Sequence, residues 1–138
     1  MGNNVQAPES SVNPALAFGS SVDVQNVSNY ALGGNITLST NSPFNFVAGN
    51  DLQVLDTAGF NAVFGSSNEI SGSSETSFIS GNGNTITDGS GCGIIGWDNS
   101  IDNQVETSFI LGNTTSVTGS DAFAAGFSTQ YQLTVEWQ

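Results

Sequence analysis

The segment Thr107-Ser-Phe-Ile-Leu-Gly-Asn-Thr-Thr-Ser-Val-Thr-Gly119 is one complete unit of a pattern that recurs along most of the chain. An apolar run ends at Gly112, small polar residues follow, and a second apolar residue, Val117, stands five positions after the glycine. The aligned units place their glycines 14 to 16 residues apart, at Gly19, Gly34, Gly49, Gly65, Gly81, Gly96, Gly112 and Gly126. A repeat of this kind is the sequence signature of a stacked, quasi-one-dimensional protein.

Each unit predicts two short strands separated by a turn at the glycine. The second apolar residue occupies the fifth position after seven of the glycines, at Val24, Val54, Ile70, Ile86, Ile101, Val117 and Tyr131, while in the second unit Leu38 stands one place early. Alternation over four or five residues is a strand pattern. We expect left-handed backbone at the asparagines that directly follow a glycine, which are Asn35, Asn50, Asn82 and Asn113.

Three asparagines stand three positions after their glycines in consecutive units: Asn68, Asn84 and Asn99. Stacked strands lie about 4.8 Å apart, a distance that side-chain amides can bridge. This column predicts an asparagine ladder along the stack.

Together these features predict an all-β fold, a parallel β-solenoid or β-roll of about eight coils of 14–16 residues. Eight coils make a rod of roughly 35–40 Å. We expect the rod to cover residues 15–127, with an N-terminal arm at 1–14 and a capping strand at 128–138. Tyr131 and Trp137 in that last segment also fit a second interpretation, a distal binding tip.

The residue two positions before the glycine points into the coil by strand alternation. Together with the second apolar column it forms the predicted solenoid core, which comprises Val47, Val63, Ile79, Ile94, Ile110, Val54, Ile70, Ile86, Ile101 and Val117.

The residues one and three positions before the glycine point the other way, and they too are apolar. The predicted interface residues among them are Leu16, Phe18, Phe46, Phe64, Phe78, Ile95, Phe109, Leu111 and Phe123. A strand that is apolar on both faces is typically buried on both, and soluble monomers rarely expose so large an apolar patch. We therefore predict a homotrimer around an axis along the rod. A twofold dimer and a monomer with a loop folded over this face are the alternatives.

The charge of the chain excludes several functions. Its 138 residues contain no Lys, Arg or His and 12 Asp and Glu, for a formal charge of −12. Binding to nucleic acids or to anionic membrane surfaces requires cationic side chains, and insertion into a membrane requires a longer apolar run. We therefore expect neither a nucleic acid nor a membrane as a partner. An imidazole base and an amine nucleophile are also lacking. The single Cys92 shares a slot with Ser77 and Ser108, which predicts a packing role for it.

The carboxylates predict neither catalysis nor a cofactor. Those that come near one another in the predicted coils are Asp98 with Asp102, Glu75 with Glu106, and Asp56 with Asp88. None stacks on another in adjoining coils, so we interpret them as solvated charges and not as a glycosidase pair. No loop has alternating acidic ligands. We therefore expect no cofactor, with calcium as the one cation that the oxygen-rich loops leave open.

The unit from Thr107 to Gly119 resembles the repeats in the heads of trimeric autotransporter adhesins, and repeats of this style also occur in phage tail fibres and other phage appendages. The shared features are a small–apolar–x–Gly strand, an Asn/Ser-rich turn and a second strand, over roughly residues 15–127. The resemblance implies a left-handed parallel β-roll that trimerises along its axis and serves display and attachment. No signal peptide, stalk or anchor is recognisable in the sequence, which favours the phage branch.

We therefore expect a non-enzymatic virion protein, a trimeric capsid or tail fibre or a decoration protein, that projects from a phage particle and aids host attachment. It would be made in the host cytoplasm and reside on the virion surface. Its expected partners are itself, other virion proteins through residues 1–14, and a host receptor or glycan. A polysaccharide-degrading tailspike and a head fragment of a bacterial trimeric adhesin are the alternatives.

Overall fold

The computed structural model describes residues 4–6, 15–26, 28–102, 104–128 and 130–131, and within them the chain is all β with no helix. The strands are β1 (Val5–Gln6), β2 (Leu16–Val24), β3 (Tyr30–Leu38), β4 (Phe46–Val54), β5 (Ala62–Ser66), β6 (Glu69–Ser71), β7 (Phe78–Asn82), β8 (Thr85–Thr87), β9 (Gly93–Trp97), β10 (Ser100–Ile101), β11 (Phe109–Asn113), β12 (Ser116–Val117), β13 (Phe123–Phe127) and β14 (Gln130–Tyr131).

The strands stack in parallel into the predicted β-solenoid. β2, β3 and β4 each run nine residues across both strand columns. After β4 the columns separate, so that β5, β7, β9, β11 and β13 form one stack and β6, β8, β10, β12 and β14 form the other. The solenoid makes about seven turns, whereas about eight coils were predicted from the sequence. The two numbers differ because eight stacked strands enclose seven intervals.

One glycine column runs in register through the whole stack, from Gly19 to Gly126. In the second coil its member is Gly33, which pairs with Gly19 and Gly49, so the assignment of Gly34 from the sequence is wrong. With Gly33 as the reference, Leu38 stands five positions later like its counterparts. The position requires glycine because a Cβ there would overlap the carbonyl oxygen of the glycine in the next coil.

Left-handed backbone occurs two positions after the column glycine and not one. The residues there have φ between 51° and 67° and are Ser21, Asn35, Asp51, Ser67, Gly83, Asp98, Thr114 and Ser128. The prediction was therefore right for Asn35 but wrong for Asn50, Asn82 and Asn113, which are still part of their strands. In β2, β3 and β4 the left-handed residue lies inside a strand that continues past it, and in the later coils it directly follows the end of the strand.

The interior is filled by branched aliphatic side chains. The ten residues predicted to line the core are each 0% exposed. In the first three coils the core gains a third column, Val22, Ile36 and Leu52, three positions after the glycine. From the fourth coil onward this same column is polar.

The predicted asparagine ladder is confirmed in that polar column. The backbone N–H groups of Asn84 and Asn99 donate to the side-chain Oδ1 of the asparagine one coil earlier, at 2.9 and 3.1 Å. The side-chain Nδ2 atoms donate to the same oxygens at 3.1 and 2.9 Å. The N–H of Thr115 continues the ladder on Asn99 Oδ1 at 2.9 Å.

A second ladder, which was not predicted from the sequence, lies four positions before the column glycine. The N–H groups of Asn45, Asn61 and Ser77 donate to Oδ1 of Asn29, Asn45 and Asn61 at 2.8–2.9 Å. Ser77 and Ser108 then continue the column as hydroxyl acceptors for the N–H groups of Cys92 and Ala122. The first ladder begins in the fourth coil, and the asparagines of the second ladder end in that same coil.

The ends of the described chain extend the stack. Val5–Gln6, inside the segment predicted to be an arm, pairs in parallel with Val22–Asp23 and adds a partial coil. At the other end, Gln130–Tyr131 pairs with Ser116–Val117. The rest of the predicted arm and of the capping strand, including Trp137, lies outside the described residues.

We expect Asn84→Ala to lower the free energy of unfolding by about 2 kcal/mol or more, because it leaves buried amide groups without partners. The Asn84 side chain takes part in four hydrogen bonds, to Asn68, Gly96 and Asn99. Urea titration followed by circular dichroism at fixed protein concentration measures the change. The control is Asn41→Ala at an exposed position, and equal midpoints for the two variants would contradict the structural importance of the ladder.

Candidate functional site

The most unusual surface of the molecule is the apolar strip, defined as the outward side chains one and three positions before the column glycine. Of the nine predicted interface residues, seven are 36–64% exposed, and Phe64 and Phe109 are partly buried. The corrected register adds Tyr30 and Leu32, 48% and 38% exposed. This pair was not predicted from the sequence, because the second unit was aligned on Gly34.

Within the chain, neighbouring rings of the strip pack against one another along the rod. Ring centroids are 6.4 Å apart for Tyr30 and Phe46, 5.6 Å for Phe46 and Phe64, and 5.9 Å for Phe64 and Phe78. The series is interrupted at Gly93, and Phe109 and Phe123 resume it at 6.1 Å. The intrachain contacts therefore align the rings along the rod and leave their outward sides uncovered.

The strip carries no charge, although the chain has only negative ones. The acidic side chains among the described residues are Asp23, Asp51, Asp56, Glu69, Glu75, Asp88, Asp98, Asp102, Glu106 and Asp121. None of them falls three before, one before or one after the column glycine. The carboxylates are thus confined to the remaining surface of the coil.

The area of the strip is in the range of a stable protein interface. A large aromatic side chain offers about 150–250 Å². At roughly half exposure, the eleven strip residues leave on the order of 1,000 Å² of apolar surface in contact with water. Stable complexes bury about 800 Å² per partner.

The strip widens in the last coils at the position one after the column glycine. Five earlier coils have small or polar residues at this position, but here Trp97 is 61% and Phe127 81% exposed. With Ile95, Leu111 and Asn113 they line an open groove of about 430 Å³. Because the sequence predicts a turn at this position, neither ring was expected to belong to the strip.

A second aromatic feature lies at the corner five positions before the column glycine. Phe44 and Phe60 have φ of 60° and are 50% and 58% exposed. Their rings stack at 4.9 Å with an interplanar angle of 16°. A left-handed conformation is unusual for a bulky residue. The Phe44 ring, together with Tyr30 and Phe46 of the strip, lines a groove of about 340 Å³.

Two of the carboxylates singled out in the sequence accept hydrogen bonds from backbone N–H groups of an adjacent coil, Asp56 from the next coil and Asp88 from the preceding one. Asp56 Oδ2 accepts from the N–H of Gly72 at 3.1 Å, and Asp88 Oδ1 accepts from that of Ser73 at 2.9 Å. Among the described residues, no group of three or more His, Cys, Asp or Glu side chains is arranged to hold a metal ion. These two carboxylates therefore have a structural role at the turns.

Cys92 belongs to the second ladder. Its side chain is 3% exposed, its N–H donates to Ser77 Oγ at 3.3 Å, and its Sγ lies 3.5 Å from the carbonyl oxygen of Val105. Burial, with a smaller effect from the Glu106 charge, raises the pKa of the thiol above its ordinary value of 9.0. A buried, protonated thiol is a poor nucleophile.

The chain matches no protein-family model and no curated protein. No helix able to cross a bilayer occurs in the part of the chain that the structure describes.

We expect Cys92 to react with a disulfide reagent at pH 8 about 100-fold or more slowly in the folded protein than in urea, because the thiolate is the reactive form and burial disfavours it. The raised pKa also affects the stability of the fold. The stabilisation from the buried, protonated thiol is fully present below the pKa of Cys92 in the unfolded chain, and it is lost as the pH rises through the pKa of Cys92 in the folded protein. The absorbance of the chromophore that the reagent releases, followed at several pH values, measures the labelling rate. Equal rates in the two states would contradict the buried position.

Proposed function

We propose that this chain is a non-enzymatic structural protein that assembles as a homotrimeric rod through the apolar strip, and that the rod is a fibre or decoration component on the surface of a phage particle. The observation that carries the proposal is the strip itself. It is apolar, uncharged and uncovered along the whole described rod, in a chain whose other surfaces carry only negative charge.

Charge favours a second copy of the chain as the occupant of the strip. Two copies that met through any acidic surface would repel, since the chain contains no Lys, Arg or His to compensate. Through the strip, two copies meet without opposing any charged side chain. A cationic partner protein would instead be attracted to the carboxylates, which lie elsewhere on the coil.

The shape of the coil favours a threefold axis along the rod. Backbone with positive φ bounds the strip on both sides, for example at Phe44 before it and Asp51 after it. The chain therefore turns away from the strip at both edges. A narrow strip between two receding corners can contact two neighbours at once when three chains surround one axis.

The virion role rests on the resemblance of the repeat to phage appendages and adhesin heads and on the rod shape. A fibre needs an elongated shape, an uncharged seam between its chains and a hydrophilic exterior. The stacked coils provide the shape, the apolar strip would provide the seam, and the acidic remainder of the surface would be the exterior. Residues 1–14 are the proposed contact with other virion proteins, and a host receptor or glycan is the proposed external partner. We do not propose polysaccharide cleavage, because Asp56 and Asp88 hydrogen-bond to turn backbone.

The trimer is tested by Phe78→Asp, which places a carboxylate in the middle of the strip. Burying an unpaired charge costs several kcal/mol, so we expect association to fail and the protein to become monomeric or insoluble. Light scattering after size exclusion should give three times 14.2 kDa for the wild-type chain. Gln53→Asp, at an exposed position off the strip, adds the same charge and should leave the trimer intact. A soluble Phe78→Asp protein of wild-type mass would contradict the proposal.

The virion location has a separate test. We expect mass spectrometry of purified, nuclease-treated phage particles to recover peptides of this chain, and antibodies against the rod to label intact particles. Labelling of the producing cell surface alone, with no peptide in the particles, would instead indicate a bacterial adhesin.

A further inference from the structure

The sequence contains one Asn-Gly pair, Asn82-Gly83, at the point where the chain leaves strand β7 in the fifth coil. An asparagine followed by glycine is prone to lose its side-chain amide, because glycine has no Cβ to keep its backbone nitrogen away from the asparagine side chain. The Asn82 side chain is exposed, and within the described chain its amide has no hydrogen-bond partner. The pair is therefore a candidate site of spontaneous modification.

The modification needs no reagent other than water. The backbone nitrogen of Gly83 attacks the side-chain carbon Cγ of Asn82, its proton passes to Nδ2, and the Cγ–Nδ2 bond breaks to release ammonia. Water then opens the resulting five-membered imide at one of its two carbonyl carbons. Opening at Cγ gives aspartate. Opening at the backbone carbon gives isoaspartate, in which the main chain runs through the side chain and is longer by a carbon atom.

The geometry of the turn requires glycine at position 83. The φ of Gly83 is 67°, and a Cβ there would lie 2.3 Å from Oδ1 of Asp98 in the next coil. A side chain at this position would therefore strain the backbone and displace the Asp98 carboxylate. The reactive pair is thus a consequence of how closely the coils approach each other at this turn.

The stacked coils hold the peptide group of the pair on both sides. The Gly83 N–H donates to the carbonyl oxygen of Ser66 in the coil before at 3.0 Å, and the Asn82 carbonyl oxygen accepts from the N–H of Asp98 in the coil after at 2.9 Å. Asn82 is also in register with Ser66 and Trp97 in the parallel stack. Closing the imide ring requires this peptide group to rotate, which breaks both hydrogen bonds. The nitrogen can therefore attack only after the coils have separated locally.

Either product would oppose assembly of the rod. In the described coils, the position one after the column glycine has no acidic side chain. Aspartate at position 82 would be the first carboxylate there, beside the apolar strip. Isoaspartate would lengthen the main chain between Gly81 of the glycine column and Asn84 of the asparagine ladder, and both of these residues hold the register of the coils.

We propose that Asn82 is a site of spontaneous deamidation that the stacked coils protect, and that a chain modified at Asn82 no longer assembles. The protection is a property of one folded chain and does not depend on the oligomeric state. The loss of assembly rests on the proposed self-association through the apolar strip.

Mass spectrometry of peptic peptides measures the protection. The wild-type chain is held at mildly alkaline pH, either folded or in urea, and the conversion of Asn82 is followed over time. We expect conversion to be about 30-fold or more slower in the folded protein, because only the locally opened fraction reacts. Equal rates in the two states would overturn the proposal.

Asn113 provides an internal control, because it has the same position in its coil as Asn82 but is followed by Thr114. In the unfolded chain we expect Asn113 to react more slowly than Asn82, since the threonine Cβ hinders attack by the backbone nitrogen. Equal rates for the two asparagines in urea would overturn the assignment of the reactive site to the Asn-Gly pair.

A refolding experiment measures the effect on assembly. Wild-type and Asn82→Gln chains are held in urea until most of the wild-type Asn82 has reacted, and both are then refolded by dilution. Glutamine at this exposed position closes an imide ring far more slowly, so both samples share every other slow reaction. We expect the aged wild-type chain to give about threefold or less of the assembly yield of the aged variant, that is, a loss of about threefold or more, because a carboxylate beside a buried apolar seam is destabilising. Equal yields from the two aged chains would overturn this effect.

The outcomes also separate this inference from the proposed function. A trimer in which Asn82 reacts as fast as in urea would overturn the protected site and leave self-association standing. A wild-type chain that is monomeric at every concentration would overturn self-association and the effect on assembly, while slow conversion of Asn82 in that folded monomer would still support the protected site.

Discussion

The close approach of successive coils at the glycine column is the constraint on which the rest of the structure depends. The carbonyl oxygen of each column glycine lies where a Cβ on the preceding one would be, so no other residue fits there without moving the coils apart. This contact aligns the strands from Gly19 to Gly126. Because side chains alternate along a strand, the fixed register also decides which ones point inward and which outward. The dry interior and the apolar strip are two consequences of one backbone contact.

The two ladders show how a thin solenoid tolerates polar groups in its interior. Asn29, Asn45 and Asn61 serve one edge of the strand stack, and from the fourth coil Asn68 and its successors serve the other. Their amides accept N–H groups of the next coil that the strands leave unpaired. Within the described residues no buried side-chain nitrogen or oxygen lacks a partner. A buried amide without a hydrogen-bond partner destabilises the fold by more free energy than a hydrogen-bonded one contributes. The ladders therefore also disfavour a shifted register.

The parts of this structure that follow from periodicity could be predicted from the sequence, and those that follow from local backbone geometry could not. The inward columns and the ladder at Asn84 recur at a fixed offset from the glycine, so they can be aligned by counting. Gly33 and Gly34 are adjacent and chemically identical, but Leu38 stands at the regular fifth position only when it is counted from Gly33, and this offset was the signal in the sequence that the pairing of Gly33 with Gly49 bears out. The left-handed residues stand two positions after the column glycine, but they vary among Ser, Asn, Asp, Thr and Gly, so no single residue type marks the position in the sequence. Phe44, at the corner before the strip, is also left-handed, against the usual preference for small or polar residues, so no pattern pointed to it.

The direction of the inter-coil hydrogen bonds has a mechanical consequence. They run along the rod, from each coil to the next, and the ladder bonds run the same way. A pull on one terminus would therefore load the outermost coil first and peel the chain one coil at a time, while bending or compression would be shared by the whole stack. A filament built this way is stiff but tears from its ends. Side-by-side adhesion between the chains of such a filament would distribute the tension over many coils at once.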